Sequence, residues 1–267
     1  KKIRLLSLFS LSLGIFFAAD DQTVVVTVLP EIMNDLSLNV TDIDKAAWTI
    51  TGYLLGYVSI MPIAGRLSDM LNKKNIYLGA LILFIVGSIG TGMTNLNLEQ
   101  ILPTSNSNWP HSITWVIATR IFQAIGAGAL IPISIAMVSD IFSTDESGLA
   151  YGILGASAEA GAIVGPIWGS VINHIWDWKT IFWLNVPVGI GIIILVYFII
   201  PKSSNSKKEP FDAVGAVLIS FAIISFTYAF SKISNSNIMF FIWCLIGIVV
   251  TLVFYFINRT NKKAIIP

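Results

Sequence analysis

Eight long apolar stretches constrain the fold of this chain more than any other feature. They cover roughly residues 5–30, 46–64, 76–94, 112–138, 148–173, 180–200, 212–231 and 237–257. A helix needs about 20 mostly apolar residues to cross the hydrocarbon core of a bilayer. Because spanning segments must satisfy their own backbone hydrogen bonds there, the pattern predicts an all-α integral membrane protein.

The composition excludes several other classes of protein. Hydrophobic residues make up 55% of the 267 residues and charged residues only 12%, against about 25% charged residues in soluble domains. The net charge of +1 argues against a nucleic-acid partner. With one cysteine and two histidines, we expect no disulfide, no metal site and no cofactor.

Positively charged residues are distributed unevenly between the two sides of the predicted spans. With the N-terminus inside, inner segments hold about twelve of the 16 Lys and Arg residues, and outer segments hold about three. This bias predicts a multi-pass protein of the plasma (inner) membrane with a cytoplasmic N-terminus. The predicted inner segment 139–147 is an exception, because it contains Asp140, Asp145 and Glu146 but no basic residue.

The predicted spans divide into six and two. We expect a six-span bundle over 1–200, a basic cytoplasmic loop over 201–211, two extra helices over 212–257 and a linker beginning at 258–267. The last two spans have no acid or base within their apolar interiors, which predicts contact with lipid. Asn-rich and Ser-rich stretches at 103–111 and 202–209 predict loops.

Four charged residues lie inside predicted spans, where charge is costly and usually functional. They are Asp20 and Asp21 in the first span, Arg120 in the fourth and Glu159 in the fifth. Asp21 and Arg120 each lie about 12 Å inside the outer end of their spans, at about 1.5 Å per residue. Equal depth predicts an ion pair or a shared water-filled cavity. The alternative is that these charges only hold the helices together.

The two neighbouring carboxylates of the first span point in different directions. Asp20, Thr23 and Thr27 share one helical face, whereas Asp21 is turned by about 100°. We therefore expect only one carboxylate to face the cavity. The threonine hydroxyls either contact substrate or bond back to carbonyls of their own helix. Glu159, near the middle of its span, is a further candidate for proton exchange.

Glycine recurs at every fourth position over residues 161–169 of the fifth span. Gly161, Gly165 and Gly169 form a flat face that permits close helix packing. Pro166 removes a backbone donor and favours a bend. A glycine face beside a proline suggests a helix that slides or hinges.

A charged segment, 65–74, follows the second span and is predicted to be an inner loop. Asp69 and Lys73 are four residues apart in it, which permits a local ion pair. The segment resembles the signature between spans two and three of the major facilitator superfamily, Gly-x-Leu-x-Asp-x-x-x-Arg/Lys-Lys. The matching residues are Gly65, Leu67, Asp69, Lys73 and Lys74.

Four further segments resemble motifs of the same superfamily. Residues 21–30 are similar to the first-span signature of its fourteen-span drug:proton antiporters. Residues 120–128 resemble the fourth-span motif, 155–169 the fifth-span antiporter motif, and 178–189 the entry to span six. The resemblance implies a major facilitator N-terminal six-helix bundle plus two additional linker helices. The C-terminal half of the same transporter is then an expected partner.

The resemblance also implies roles for three groups of residues. A cavity for substrate and proton coupling is formed by Asp20, Asp21, Arg120, Gln123 and Glu159. A cytoplasmic latch between the two bundles is formed by Gly65, Arg66, Asp69, Lys73 and Lys74. An antiporter motif that packs on the C-terminal bundle is formed by Gly155, Gly161, Gly165, Pro166 and Gly169.

These features predict a proton-coupled antiporter, not an enzyme, that exports lipophilic or cationic drugs by alternating access. The excess of buried acids over Arg120 favours cations. Trp48, Tyr53 and Tyr57 either line a cation site or, as we favour, pack structurally. The expected partners are these substrates, protons and membrane lipids. Two alternatives stay open: an exporter of an amphipathic metabolite or anion on the same fold, and a non-transporting eight-span membrane subunit.

Overall fold

The computed structural model describes residues 2–94, 112–200, 213–231 and 237–260. These residues form a short 3-10 helix, Val40–Asp42, and eight α-helices: α1 Lys2–Asp35, α2 Ile43–Met70, α3 Lys73–Gly92, α4 Ile113–Ile141, α5 Thr144–Ile175, α6 Trp178–Ile199, α7 Ala213–Ser231 and α8 Asn237–Thr260. The predicted loops at 103–111 and 202–209 and the basic loop at 201–211 lie outside the described residues.

The predicted all-α membrane architecture is confirmed. Seven of the helices in the described ranges are long and apolar enough to cross a membrane. The apolar part of α7, Val214–Phe230, is shorter than the others. The helix α8 continues to Thr260, so the first residues of the predicted linker are helical.

The prediction that residues 65–74 form a loop is wrong. The helix α2 continues to Met70 and α3 begins at Lys73, so only Leu71 and Asn72 separate them. The Asn72 side chain accepts a hydrogen bond from the Asn75 backbone N–H and caps α3. The last residues of α2 are polar because they extend beyond the apolar span predicted at 46–64. A change from apolar to polar residues does not by itself end a helix.

Helix α1 lies at the centre of a six-helix bundle. It packs most extensively on α5 and also contacts α2, α4 and α6. The helix α4 packs between α2 and α3, and α3 also contacts α6. Outside this bundle, α7 packs on α2, where the Ser220 hydroxyl donates to the Ser59 carbonyl at 2.7 Å. The helix α8 packs on α7, and its apolar stretch is almost entirely exposed.

The glycine face of α5 packs directly on the backbone of α1. A Cβ atom at Gly161 would overlap the Phe16 carbonyl, and one at Gly165 would overlap the Asp20 carbonyl. The implied contact of these glycines with the C-terminal bundle is therefore wrong for Gly161, Gly165 and Gly169, because α1 already occupies their face. Gly155 differs, since a Cβ there would have open space around it. Helix α5 continues through Pro166 to Ile175.

The acidic segment 139–147 is balanced by bases from other helices. Lys73 Nζ lies 2.7 Å from Asp140 Oδ2, and Arg4 Nη1 lies 3.1 Å from Glu146 Oε2. The first of these contacts also corrects the expected local pair, because Lys73 extends toward α4 instead of back along the chain to Asp69. The segment lacks basic residues of its own because α1 and α3 supply them.

The packing of α5 on α1 predicts unequal effects for two glycine substitutions. Gly165→Ala should lower the free energy of unfolding by about 1–3 kcal/mol, because the new methyl overlaps backbone atoms that have no room to yield. Gly191→Ala on α6 is the matched control, since open space surrounds that position. Thermal unfolding in one detergent compares them. Equal unfolding midpoints for the two variants would contradict the close α1–α5 contact.

Candidate functional site

A buried ion pair joins α1 to α4 inside the bundle. Arg120 Nη1 lies 2.6 Å from Asp21 Oδ2, and each residue exposes 1% or less of its surface. Arg120 Nη2 also donates to the Asp21 backbone carbonyl at 3.0 Å. The two residues predicted to lie at equal depth are thus in direct contact. A charge in this position needs such a partner, because an isolated buried ion is very costly.

Two amide side chains complete the environment of the Asp21 carboxylate. Gln123 accepts a hydrogen bond from Arg120 at 2.8 Å and donates to Asp21 Oδ1 at 3.0 Å. Asn185 of α6 donates to the same oxygen at 2.7 Å and to the Ser88 hydroxyl of α3 at 3.1 Å. We call Asp21, Arg120, Gln123, Asn185 and Ser88 the polar network. It connects four helices, with both carboxylate oxygens of Asp21 accepting hydrogen bonds.

Aromatic rings cover the guanidinium group of Arg120. The Tyr53 ring centroid lies 4.1 Å from Arg120 Cζ, and the Phe182 centroid lies 5.4 Å away. Tyr53 stacks on Tyr57 with ring centroids 6.2 Å apart. Trp48 packs against Tyr228 of α7 at 5.5 Å. The three aromatic residues of α2 thus contact the protein's own groups, as the structural alternative predicted, and Tyr53 adds a cation–π contact.

Asp20 points away from the polar network. It is buried between α1, α5 and α6, and it lines a crevice beside Phe17 and Trp168. The neighbouring threonines bond back to carbonyls of α1, as one alternative predicted: Thr23 Oγ1 donates to the Asp20 carbonyl at 3.3 Å, and Thr27 Oγ1 donates to the Val24 carbonyl at 2.8 Å. Thr23 Oγ1 also lies 3.1 Å from the Ala162 carbonyl, to which it donates across the α1–α5 contact.

Glu159 does not join the polar network. It lies on the exposed face of α5, between the exposed positions 155–156 and Ala160. The glycine face turns toward α1 on the other side of the helix, so Glu159 points away from the bundle interior. Of the five predicted cavity residues, the structure brings together Asp21, Arg120 and Gln123 and separates Asp20 and Glu159 from them.

Sequence reasoning did not predict that Asn185 and Ser88 belong to the polar network, or that the Tyr53 ring covers Arg120. Asn185 entered only as part of a motif, Ser88 was not considered, and Tyr53 was assigned to packing. A signal existed for Asn185, because a carboxamide inside the very apolar helix α6 needs hydrogen-bond partners when buried. Its side chain finds them in Asp21 and Ser88.

The predicted latch residues lie where α2 ends and α3 begins. Arg66 Nη1 is 4.0 Å from Asp69 Oδ2, within the last turns of α2. Lys73 Nζ donates to the Ala136 carbonyl at 3.0 Å as well as to Asp140. Lys74 is buried, and its ammonium group donates to the carbonyls of Tyr197 and Ile200, both at 2.6 Å. The two lysines thus attach α3 to the ends of α4 and α6, and Lys74 satisfies terminal carbonyls of α6.

The polar network can respond to a change of charge on one residue. Asp21 is its only carboxylate and Arg120 its only cation. Protonation of Asp21 would remove the charge that balances Arg120 and turn one acceptor oxygen into a donor. The hydrogen bonds from α4 and α6 would then have to rearrange. The arrangement therefore suits a site where proton binding changes helix packing.

The ion pair predicts strongly non-additive effects of substitution. Arg120→Leu should lower the free energy of unfolding by about 3–5 kcal/mol, because Asp21 is left buried without a counter-charge. Adding Asp21→Asn to Arg120→Leu should recover part of this loss. Denaturation in mixed micelles of the two single variants and the double variant gives the coupling energy. Strictly additive losses would show that the two side chains are independent.

Solved transporters share this fold. The xylose transporter XylE from E. coli, in an inward-open conformation, superposes with a TM-score of 0.60 at 15% identity, over 93% of this chain and 66% of that one. The human organic anion transporter MFSD10 gives a TM-score of 0.58 at 13% identity, over 92% of this chain and 70% of that one. At these identities the likeness concerns the fold alone.

Closer relatives occur among mycobacterial proteins. A triacylglyceride transporter of Mycolicibacterium smegmatis is 31% identical over 214 residues, which cover 79% of this chain and 35% of the relative. A triacylglyceride transporter of Mycobacterium tuberculosis is 32% identical over 216 residues, which cover 79% of this chain and 39% of the relative. The chain thus spans well under half the length of these relatives. The family model of the Major Facilitator Superfamily matches residues 11–262, and the chain therefore belongs to this superfamily of membrane transporters.

Proposed function

We propose that the chain forms the N-terminal half of a proton-coupled secondary transporter that exports a lipid or another amphipathic metabolite. Two curated relatives at 31% and 32% identity are triacylglyceride transporters, which favours this substrate class over the multidrug efflux expected at first. In the proposal, the activity requires a C-terminal bundle. The two bundles rock about a site near the bilayer midplane.

The charge balance of the polar network supports a substrate without a net positive charge. The expectation of cationic drugs rested on an excess of acids over Arg120. Asp21 is neutralised by Arg120 at 2.6 Å, and Glu159 lies on an exposed face. Within the described part of the bundle, the polar network therefore offers a cation no free carboxylate, since both oxygens of Asp21 already accept hydrogen bonds.

The ion pair between Asp21 and Arg120 is the observation that carries the coupling part of the proposal. A proton that binds Asp21 releases Arg120 from its partner and loosens the bonds from Gln123 and Asn185. Because these bonds link four helices, protonation changes the relative stability of two arrangements of the bundle. A lipid can then leave in one arrangement, and deprotonation toward the cytoplasm restores the other.

The orientation belongs to the same proposal. We place the N-terminus and the α2–α3 junction on the cytoplasmic side, in agreement with the excess of Lys and Arg there. The exposed carboxylate of Asp69, at the end of α2, is then available for a latch with the C-terminal half. The pair α7–α8 is proposed as the linker helices of a fourteen-span transporter, since only 6% of the apolar stretch of α8 is buried against the rest of the described protein.

Export of lipophilic cations is the second candidate. One observation favours it: Asp20 is a buried carboxylate with an unpartnered oxygen outside the polar network. Transport of a cation would need access from that crevice to the path between the bundles. The two substrate classes are separated by the experiment below.

The coupling role of Asp21 predicts a specific loss of transport. The full-length transporter is reconstituted in vesicles with an imposed proton gradient, and movement of a fluorescent acylglycerol between leaflets is measured. Asp21→Asn should lower the gradient-driven rate about tenfold or more, because the exchangeable proton is lost. Glu31→Gln, an exposed acid on the same helix, is the matched control.

The outcomes separate the candidates. Gradient-driven movement of a fluorescent lipophilic cation, without movement of the acylglycerol, would replace the lipid proposal by drug export. Loss in Glu159→Gln with full activity in Asp21→Asn would move the coupling carboxylate to α5. Movement of neither probe would favour the non-transporting subunit.

A further inference from the structure

A crevice lies between α5 and α6, and α1 forms its floor. It has a volume of about 260 Å³, and its lining includes Phe17, Asp20, Val164, Trp168 and Val188 as well as Asn185 of the polar network. Val164, Trp168 and Val188 are 38–45% exposed, so the rim of the crevice opens at the surface of the bundle. In a membrane-spanning protein, a molecule dissolved in the bilayer can reach such an opening directly.

Asp20 places a carboxylate inside this apolar crevice. Only 7% of the residue is exposed, and its Oδ1 atom has no hydrogen-bond partner among the residues that the structure describes. A buried carboxyl oxygen without a partner is unfavourable, and native proteins rarely leave one so. The Asp21 carboxylate, by contrast, is fully engaged in the polar network. Asp20 therefore has an unmet need for a hydrogen-bond donor.

A second groove continues the crevice along α1. This groove has a volume of about 410 Å³, and its walls come from Leu5, Leu8, Phe9, Ser12, Leu13 and Phe16 of α1 and from Ile153 and Ser157 of α5. Phe16 lines both cavities. From Leu5 to Asp20, the two together extend along about 22 Å of helix at 1.5 Å per residue. The two grooves adjoin at Phe16, and we refer to the pair as the channel, with the Asp20 carboxylate at one end.

We propose that this channel binds a single-chain amphipath with a primary ammonium head, the head at Asp20 and the alkyl chain in the groove. An ammonium group donates three hydrogen bonds and carries the charge that balances a carboxylate. The aromatic lining of the crevice suits a cation as well. An anionic head would be repelled, and a hydroxyl head would supply a donor but no balancing charge.

The crevice adjoins the polar network through Asn185, which lines the crevice and donates to Asp21 at 2.7 Å. The proposal itself does not depend on the proposed function. Asp20 and Asp21 are consecutive in α1, so their side chains diverge by about 100°. One carboxylate faces the crevice and the other faces Arg120 of α4. The test measures binding, so its outcome is the same whether the protein transports a lipid, transports a cation or does not transport.

The experiment uses a photoactivatable dodecylamine and the full-length protein in phosphatidylcholine vesicles, whose zwitterionic surface does not concentrate cations. Light crosslinks the bound probe, and peptide mass spectrometry locates the label. We expect labelling of α1 and α5 near Phe16, and displacement by excess unlabelled dodecylamine. The corresponding dodecanoate probe should label these peptides about tenfold less.

Two variants test the two parts of the site. Asp20→Asn keeps the shape and removes the charge, and the probe concentration for half-maximal labelling should rise about tenfold. Val164→Trp fills the crevice and should reduce labelling while Asp20 is intact. Glu31→Gln, on the same helix but outside the crevice, should label as the wild type does. Unfolding midpoints identify any variant that does not fold, and Val164→Trp then carries the test if Asp20→Asn fails.

Three results would overturn the proposal. The first is equal labelling by the amine and carboxylate probes, which would indicate an apolar surface without charge recognition. The second is unchanged labelling in a folded Asp20→Asn variant. The third is labelling confined to peptides outside α1, α5 and α6.

Discussion

The need to keep Arg120 balanced inside a bilayer shapes the centre of this bundle. The guanidinium is fully buried, and the hydrocarbon core offers no water to solvate it. One carboxylate, one carboxamide and two aromatic rings surround it, and these groups come from α1, α2, α4 and α6. The positions of these helices relative to one another are therefore tied to one charge. A transporter that couples protons to movement needs such a dependence.

The contact of α1 with α5 gives this arrangement its rigidity. Because Gly161, Gly165 and Gly169 of α5 lack side chains, the two backbones approach closely, and Thr23 adds a hydrogen bond between the helices. Lysines at the start of α3 attach it to the ends of α4 and α6 in a similar way. The six helices are thus joined both at their centre and at one end, which is what a bundle that rocks as a unit requires.

Much of this could be predicted from the sequence because the physics is local. Apolar length located the spans, and equal depth placed Asp21 near Arg120. Which face of a helix packs on which neighbouring helix could not be predicted, because it depends on contacts between segments distant in the sequence. For this reason the glycine face was assigned to the wrong neighbour, and Glu159 was grouped with Asp21 and Arg120, from which the structure separates it. The continuation of α2 to Met70 was also not predicted, since a helix can extend beyond its apolar span when the following residues are polar helix formers.

The adjacency of Asp20 and Asp21 has a thermodynamic consequence. One carboxylate faces a crevice whose rim is exposed, and the other faces the interior of the bundle. In the two proposals made above, a ligand charge would bind at the first and a proton at the second, on consecutive residues and in surroundings that screen charge weakly. By linkage, whatever factor the proton imposes on the affinity of the crevice for its ligand, the ligand imposes on the affinity of Asp21 for the proton. The two proposed sites would then be coupled through adjacent positions of one helix.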